Sequence, residues 1–318
     1  MTTAAEKNEQ ALISLFGNAE LASKISSTRI AIVIPAIPLL PSGKLLTTVL
    51  SDTLGRLWPN IDFHGCDVEE FINVAVDAAE SGGPPTNGIS VNWAPPYDCV
   101  VSIGENLPTE VGYVIQVGAN DWEARLGPEA HTGQSQNPVG PAFAAALAAS
   151  QLFHFVFSTE LRETNSALIE SCQINLLEIF DLNNVSVTPL DLEETHIFGT
   201  GAVSHGLLWL LENWPEEVKG IANLVDQDNY GESNGQRYAF MRLSNQHKSK
   251  VEVLRERLTT AHPSLSVFPH PVDLNSYCDK RGYDLGLNRL ITGLDSAEAR
   301  RHAAVKLPES AINMCTEG

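Results

Sequence analysis

The sequence predicts the α/β class in two domains, and three observations carry that expectation. Short β-branched apolar runs recur through the 318 residues, and helix-length amphipathic stretches separate them. One strand-like run also enters a helix-like run through paired glycines, "FGTGAVS". Strands alternating with helices are the pattern of a mostly parallel sheet covered by helices. A chain of this length holds two domains of ordinary size, each with its own core. The boundary falls within 159–193, and the domains are drawn as 1–165 and 166–318.

The first 28 residues read as an amphipathic helix, with Leu12, Ile13, Leu15 and Phe16 on its apolar side. "RIAIVIPAIPLL" (29–40) is an apolar, β-branched run closed by prolines, which suits a buried strand. "KLLTTVLSDTLGRLW" (44–58) is a helix, and "DCVVSIG" (98–104) and "VGYVIQVGA" (111–119) are two more strands. Region 80–97, rich in Gly, Pro and Asn, is a loop, as is the connection between those strands. "GPAFAAALAASQLFHFVFS" (140–158) is apolar nearly all round, so it is a buried helix between a sheet and another domain. The second half repeats the logic: strand 194–198, helix 203–213, strand 221–226, helix 246–260, strands 265–269 and 288–294, helix 296–305.

Composition narrows the partners. With 39 Asp+Glu against 20 Lys+Arg the formal net charge is -19, and such a surface repels phosphate backbones. Nucleic acid is therefore not an expected partner. The five cysteines (66, 99, 172, 278 and 315) form no CxxC pair, against a structural zinc site, and their odd count and spacing are unlike a secreted disulfide framework. The polar, acid-bearing N-terminus is unlike a signal peptide, and no apolar run approaches the roughly 20 residues of a membrane span. A reduced, cytoplasmic protein without membrane attachment is expected.

Gly199, Gly201 and Ser204 form a G-x-G-x-x-S turn between strand and helix. Glycines let the backbone turn tightly and aim N–H groups at phosphate oxygens, at the positive end of the helix. Asp226 ends the next strand, where a carboxylate can take ribose hydroxyls, as in a Rossmann-like dinucleotide site. The following loop, "VDQDNYGESNGQR", adds Asp228, Ser233, Asn234 and Arg237, and Lys250 lies thirteen residues further on. Asp295 ends a later strand. Carboxyl ends of parallel strands are where ligands bind in such sheets. A nicotinamide cofactor does not need these extra charges, whereas a triphosphate under attack does: Arg237 and Lys250 would offset its charge, and Asp295 would hold a Mg²⁺. Each residue has a plainer reading. Asp228 can cap a turn, Arg237 can sit in a surface ion pair, Lys250 can be a solvated helix residue, and Asp295 can be an N-cap. Arg242 and Lys248 lie close enough to take the places of the two cations.

The constellation resembles the ThiF/MoeB/HesA family, which includes the adenylation domains of ubiquitin-activating enzymes. The resemblance rests on "GTGAVS", on "LVDQDNYGESNGQR" against the family's D-x-D-x-x-x-x-S-N-x-x-R pattern, on the Lys250 spacing and on "GLDSAEAR". It covers about 194–318 and implies a Rossmann-like ATP-binding adenylation domain. By the resemblance, Gly199, Gly201, Ser204, Asp226, Asp228, Asn234, Arg237 and Lys250 bind nucleotide, Asp295 serves the metal, and Arg237, Lys250 and Asp295 carry the chemistry. It further implies ATP and Mg²⁺ as cofactors, with a ubiquitin-like or sulfur-carrier protein ending in glycine as partner. Its terminal carboxylate would be adenylated with release of pyrophosphate. A conjugating (E2-like) protein and a dimer are possible further partners. The alternatives are a catalytically inactive nucleotide-binding scaffold and an NAD-dependent oxidoreductase.

Departures accompany the resemblance. Ser204 stands at the usual third glycine, Gly235 at a usual leucine and Tyr238 at a usual glutamine. The crossover loop and thioester cysteine of the family are not found within these residues, and Cys315 is read as a packed thiol. The N-terminal half has "IPAIPLLPSGK" where a phosphate loop would be, and prolines remove the N–H donors. It resembles an inactive adenylation-like domain, with Arg56 as a candidate to reach the other half's phosphates.

Overall fold

A computed structural model describes residues 4–16, 22–35, 38–104, 112–161, 168–183, 185–281, 287–294, 300–301, 303, 305 and 308–314. The chain forms two compact units, Met1–Val185 and Ser186–Gly318.

The first unit contains α1 (Ala4–Phe16), α2 (Ala22–Ser27), β1 (Ile30–Val33), α3 (Pro41–Gly55), β2 (Ile61–His64), α4 (Glu69–Gly82), β3 (Ile89–Val91), β4 (Cys99–Ile103), β5 (Tyr113–Asn120), β6 (Glu123–Leu126), α5 (Val139–Val156), the short α6 (Ser158–Leu161), β7 (Cys172–Asn175) and the short α7 (Leu176–Ile179). Its sheet runs β3-β2-β1-β4-β5-β6-β7. The first five strands are parallel, and β6 and β7 are antiparallel additions. Alternate residues of β1 serve opposite faces: Ile30 and Ile32 pack with Leu46, Leu50 and Ala148, while Ala31 and Val33 pack with Tyr97 and Val100. An apolar residue at every position is what a strand covered on both sides requires.

The second unit contains β8 (Leu190–Phe198), α8 (Ala202–Glu212), β9 (Val218–Val225), α9 (Lys250–Ala261), β10 (Leu265–His270), α10 (Leu274–Arg281), β11 (Arg289–Thr292) and β12 (Ser310–Asn313). Its sheet is parallel throughout, in the order β10-β9-β8-β11-β12. Ile197 faces Leu208 and Leu254, and its neighbour Phe198 faces Tyr277 on the other side. Helices therefore cover both faces, the doubly wound Rossmann-like arrangement. The five parallel strands of the first unit follow the same order, with the earliest strand central and the second and third to one side.

Several expectations change. The boundary falls at 185, inside the expected 159–193 but beyond the drawn 165, because β7 pairs with β6 and draws 172–175 into the first sheet. Of the opening helix, 4–16 and 22–27 are described and helical. The strand predicted over 29–40 is only Ile30–Val33, with Pro41 opening α3. Region 80–97 holds the end of α4 and the strand β3. Helix α5 has 18 residues and a mean hydropathy of 1.4, enough by length and composition to cross a membrane, contrary to the expectation of no such run. Here it is a core helix, with Ala144, Ala145, Ala148 and Leu152 buried against the sheet and α3. The helix predicted over 296–305 lies largely outside the described residues, and Cys315 lies wholly outside them.

The turn after β1 differs from its counterpart after β8. Ser42, in the first turn of α3, donates its N–H to the carbonyl of Gly133 (3.3 Å) and its hydroxyl to Ala119 (2.7 Å). The Gly133 N–H in turn donates to Ser42 Oγ (2.7 Å). Backbone from the 133 loop thus occupies the start of this helix. Arg56 is buried and held by Asp52 one helical turn away, at 2.8 and 3.0 Å. Its guanidinium is committed inside its own unit, which removes it as a phosphate ligand.

Candidate nucleotide site

Strand β8 ends at Phe198, and Gly199 then takes φ +78, a conformation that side chains rarely adopt. Its N–H still donates to Val225 (3.0 Å), so the turn begins in register with β9. Gly201 caps α8 in extended backbone, φ -76 and ψ -167. A Cβ at Gly201 would meet only Gly293 O at 3.7 Å and the Tyr238 hydroxyl at 3.9 Å. The glycine therefore leaves open space above the helix start, where the first-turn N–H groups have no intrahelical acceptor and the helix dipole favours an anion.

Ser204 does not face that space. Fully buried, it donates its hydroxyl to Gly199 O at 2.6 Å and pins the turn from below. A Cβ on Gly293 would lie 2.0 Å from Ser204 Oγ, so the serine requires a glycine on the facing strand end. Ser204→Ala is expected to cost about 1 kcal/mol, the net value of one hydrogen bond, read as a lowered thermal midpoint.

A cavity of about 610 Å³ opens above the strand tips, and Gly199, Gly201, Asp226, Asp228, Arg237 and Lys250 line it. Asp226 Oδ2 accepts from the Thr200 N–H (2.7 Å) and hydroxyl (2.9 Å), and Oδ1 accepts from the Asp228 N–H (2.9 Å). The carboxylate thereby fixes the glycine turn and the following loop together. Lys250 is delivered by main-chain pairing. Asn229 bridges Ser249, Tyr230 N–H donates to Lys248 O, and Lys250 N–H donates to Asp228 O. The first residue of α9 is thus locked to the loop at the tip of β9 although residues 226–249 separate the two elements.

The Lys250 ammonium lies 3.0 Å from Asp228 Oδ2 and 3.9 Å from Asp226 Oδ2, with only 5% of its side chain exposed. Burial, the largest single influence, lowers its pKa. Asp226, Tyr238 and Asp228 together outweigh burial and hold it above the ordinary lysine value. Arg237 lies more openly, its guanidinium 5.8 Å from the Tyr238 ring centre, and it has no acidic partner among the described residues. Arg242 instead stacks on Phe240, outside the cavity lining, and Lys248 is absent from that lining too.

Asn234 is the second residue that turns away. Its side-chain oxygen accepts from the Gly231 N–H (2.8 Å) and shapes the loop rather than the cavity. Asp295 lies outside the described residues. Among the lining residues not assigned from sequence are Tyr238, Asp273 and Arg300. Asp273 caps α10, accepting from the N–H groups of Asn275 and Ser276 and from the Ser276 hydroxyl. The Ser276 hydroxyl is the main cause holding its pKa below the ordinary carboxylate value. An Asp before a helix-length run carried that capping signal. Arg300 donates to Leu294 O at 2.8 Å, and it sits within the quoted "GLDSAEAR". Behind the turn, His205 Nδ1 is 2.9 Å from Gly201 O, and Nε2 is 2.7 Å from the Tyr230 hydroxyl. A carbonyl only accepts, which assigns the proton to Nδ1 and makes Tyr230 the donor to Nε2.

Residues 72–170 match a family described as the BilD N-terminal domain. The chain is 27% identical over 272 residues to the uncharacterized protein y4jF of Sinorhizobium fredii, covering 83% of this chain and 51% of that protein. It therefore spans about half the length of the curated relative it matches. Among solved structures, it is similar to E. coli tRNA N6-threonylcarbamoyladenosine dehydratase, TcdA, in complex with ATP. The TM-score is 0.30 at 20% identity, over 38% of this chain and 50% of that one. It is also similar to E. coli MccB with ATP, at a TM-score of 0.31 and 14% identity, over 63% and 68% of the two chains.

Proposed function

We propose that this chain is an ATP-dependent adenylating enzyme of the ThiF/MoeB/HesA kind, acting on the C-terminal glycine carboxylate of a ubiquitin-like or sulfur-carrier protein. One observation carries the reading: the open glycine turn, the strand-end Asp226 and the two cations Arg237 and Lys250 line a single cavity. A volume of about 610 Å³ lies within the usual range for small-molecule sites. A site for a dinucleotide's pyrophosphate needs the turn and the carboxylate but not two further cations.

In the reaction, a carboxylate oxygen of the partner attacks the α-phosphorus, the bond to the β-phosphate breaks, and pyrophosphate leaves. The chain's part is to orient and to offset charge. The start of α8 receives phosphate on its N–H groups. Asp226 has carboxylate lone pairs left for a ribose hydroxyl beyond the three hydrogen bonds it already accepts. Lys250 and Arg237 lie where negative charge builds on the phosphates, and burial strengthens the lysine's effect.

Mg²⁺ belongs to the same proposal, through Asp295. No group of three or more His, Cys, Asp or Glu among the described residues is arranged to hold a metal. Mg²⁺ keeps several waters and leans on substrate phosphates, so one or two carboxylates suffice. No step above depends on the metal.

For the first unit we propose an inactive adenylation-like role. The shared order of its parallel strands supports this, as does the Gly133 backbone lodged at the start of α3. We further propose a cytoplasmic setting, a conjugating protein as acceptor and dimeric assembly. No disulfide joins the four described cysteines, and the acidity of the chain disfavours nucleic acid.

The test is ATP–pyrophosphate exchange by the full-length protein with a Gly-Gly-ended partner. Exchange that requires the partner's terminal glycine supports the proposal. ATP binding with no exchange, whichever candidate partner is supplied, would replace it with the scaffold reading.

A further inference from the structure

We infer that the hydroxyl of Tyr238 donates a hydrogen bond to the phosphate seated on the Gly199–Gly201 turn. The inference rests on the nucleotide reading of the cavity and adds to it a contact from a residue that stands at the family's usual glutamine. Tyr238 is only 5% exposed, yet it lines the cavity. Its ring is fixed on several sides. His205 lies tilted against it at 4.6 Å, Tyr230 meets it edge-on at 6.3 Å, and the Lys250 ammonium lies 5.5 Å from the ring centre. The hydroxyl is directed to the turn, 3.9 Å from where a Cβ of Gly201 would stand. No described residue accepts from it or donates to it.

Buried tyrosines normally find a partner for the hydroxyl, and the Tyr238 hydroxyl, which is not enclosed, finds open cavity in front of it. His205 and Tyr230 show that rule nearby, since they satisfy each other. The Tyr238 ring packs beside this pair, and its O–H opens onto the cavity. A phosphate oxygen on the turn is the acceptor whose position fits. A phenol there adds a neutral donor between two cations, so it fixes orientation without adding charge.

The experiment compares equilibrium binding of ATP·Mg and of adenosine to the full-length wild type and to Tyr238→Phe. The phenylalanine keeps the ring contacts and removes only the hydroxyl. ATP affinity is expected to fall about 10- to 100-fold, the value of a hydrogen bond to a charged group, with adenosine affinity unchanged. Unchanged ATP affinity in a folded variant overturns the inference and leaves the nucleotide reading standing. Equal losses for both ligands make the tyrosine a structural residue and also overturn it. Failure of the wild type to bind ATP removes the nucleotide reading itself. Should the variant not fold, a ring-fluorinated tyrosine placed at 238 alone keeps ring and hydroxyl. Its fluorine NMR signal is expected to move with ATP and not with adenosine, and a signal unmoved by ATP overturns the proposal.

Discussion

Lys250→Ala is expected to lower partner-dependent pyrophosphate exchange by roughly 10²–10³-fold, the loss typical of one electrostatic stabiliser. The reason is placement. The ammonium is nearly enclosed, so its field at the phosphates is weakly screened, whereas Arg237 stands closer to solvent. Removal also leaves Asp226, only 10% exposed, without the cation that balances it. Rates are therefore compared per folded molecule, with the folded fraction read by circular dichroism. A folded variant with near-normal exchange would end the lysine's role. The pH dependence has a defined sign. A lysine whose pKa is raised by folding contributes stability that is fully present below its unfolded value near 10.5 and is lost as pH rises through the folded value. Exchange and stability should show no Lys250-linked change around neutrality, and a loss only in strong alkali.

Alanine at the two glycines of the turn should separate ligand effects from folding effects. Gly201 has ordinary backbone angles, and an added methyl meets nothing nearer than 3.7 Å. Gly201→Ala should melt with the wild type while placing a methyl where the phosphate must approach. Exchange should fall on the order of 10²-fold, the scale of a small displacement of the reacting group. Gly199→Ala should do the reverse. Its φ of +78 is costly for alanine, and its Cβ would lie 2.9 Å from Leu294 and 3.2 Å from the Gly293 backbone. A stability loss of about 1–3 kcal/mol is expected, read by denaturant or thermal melts. If Gly201→Ala also unfolds the protein, or leaves exchange untouched, the open space above the helix has been misread.

The sequence made the second unit legible where elements are long and patterned. β8, α8, β9 and α9 have apolar periods that survive inspection, and the glycine turn between the first two announces itself. Helix α4, 14 residues long, was passed over, and the strands that escaped were short. β2, β3, β6 and β7 hold three or four residues each, too few for a period of two to stand out, and they exist because a neighbouring strand supplies the pairing. Ser204 and Asn234 are nucleotide contacts by the family resemblance, on their places in the G-x-G-x-x-S turn and the S-N-x-x-R pattern. The same polarity serves the Gly199 carbonyl and the Gly231 N–H, and nothing in a one-dimensional pattern separates those uses. Tyr238 and Arg300 sit beside or within the quoted motifs, and only the fold shows that they reach the cavity.

The lodging of Gly133 at the head of α3 bears on stoichiometry. Two sheets of like parallel order would ordinarily suggest two equivalent ligand sites per polypeptide. In one of them the peptide itself has taken the seat of the anion, so saturation should come at a single nucleotide per chain.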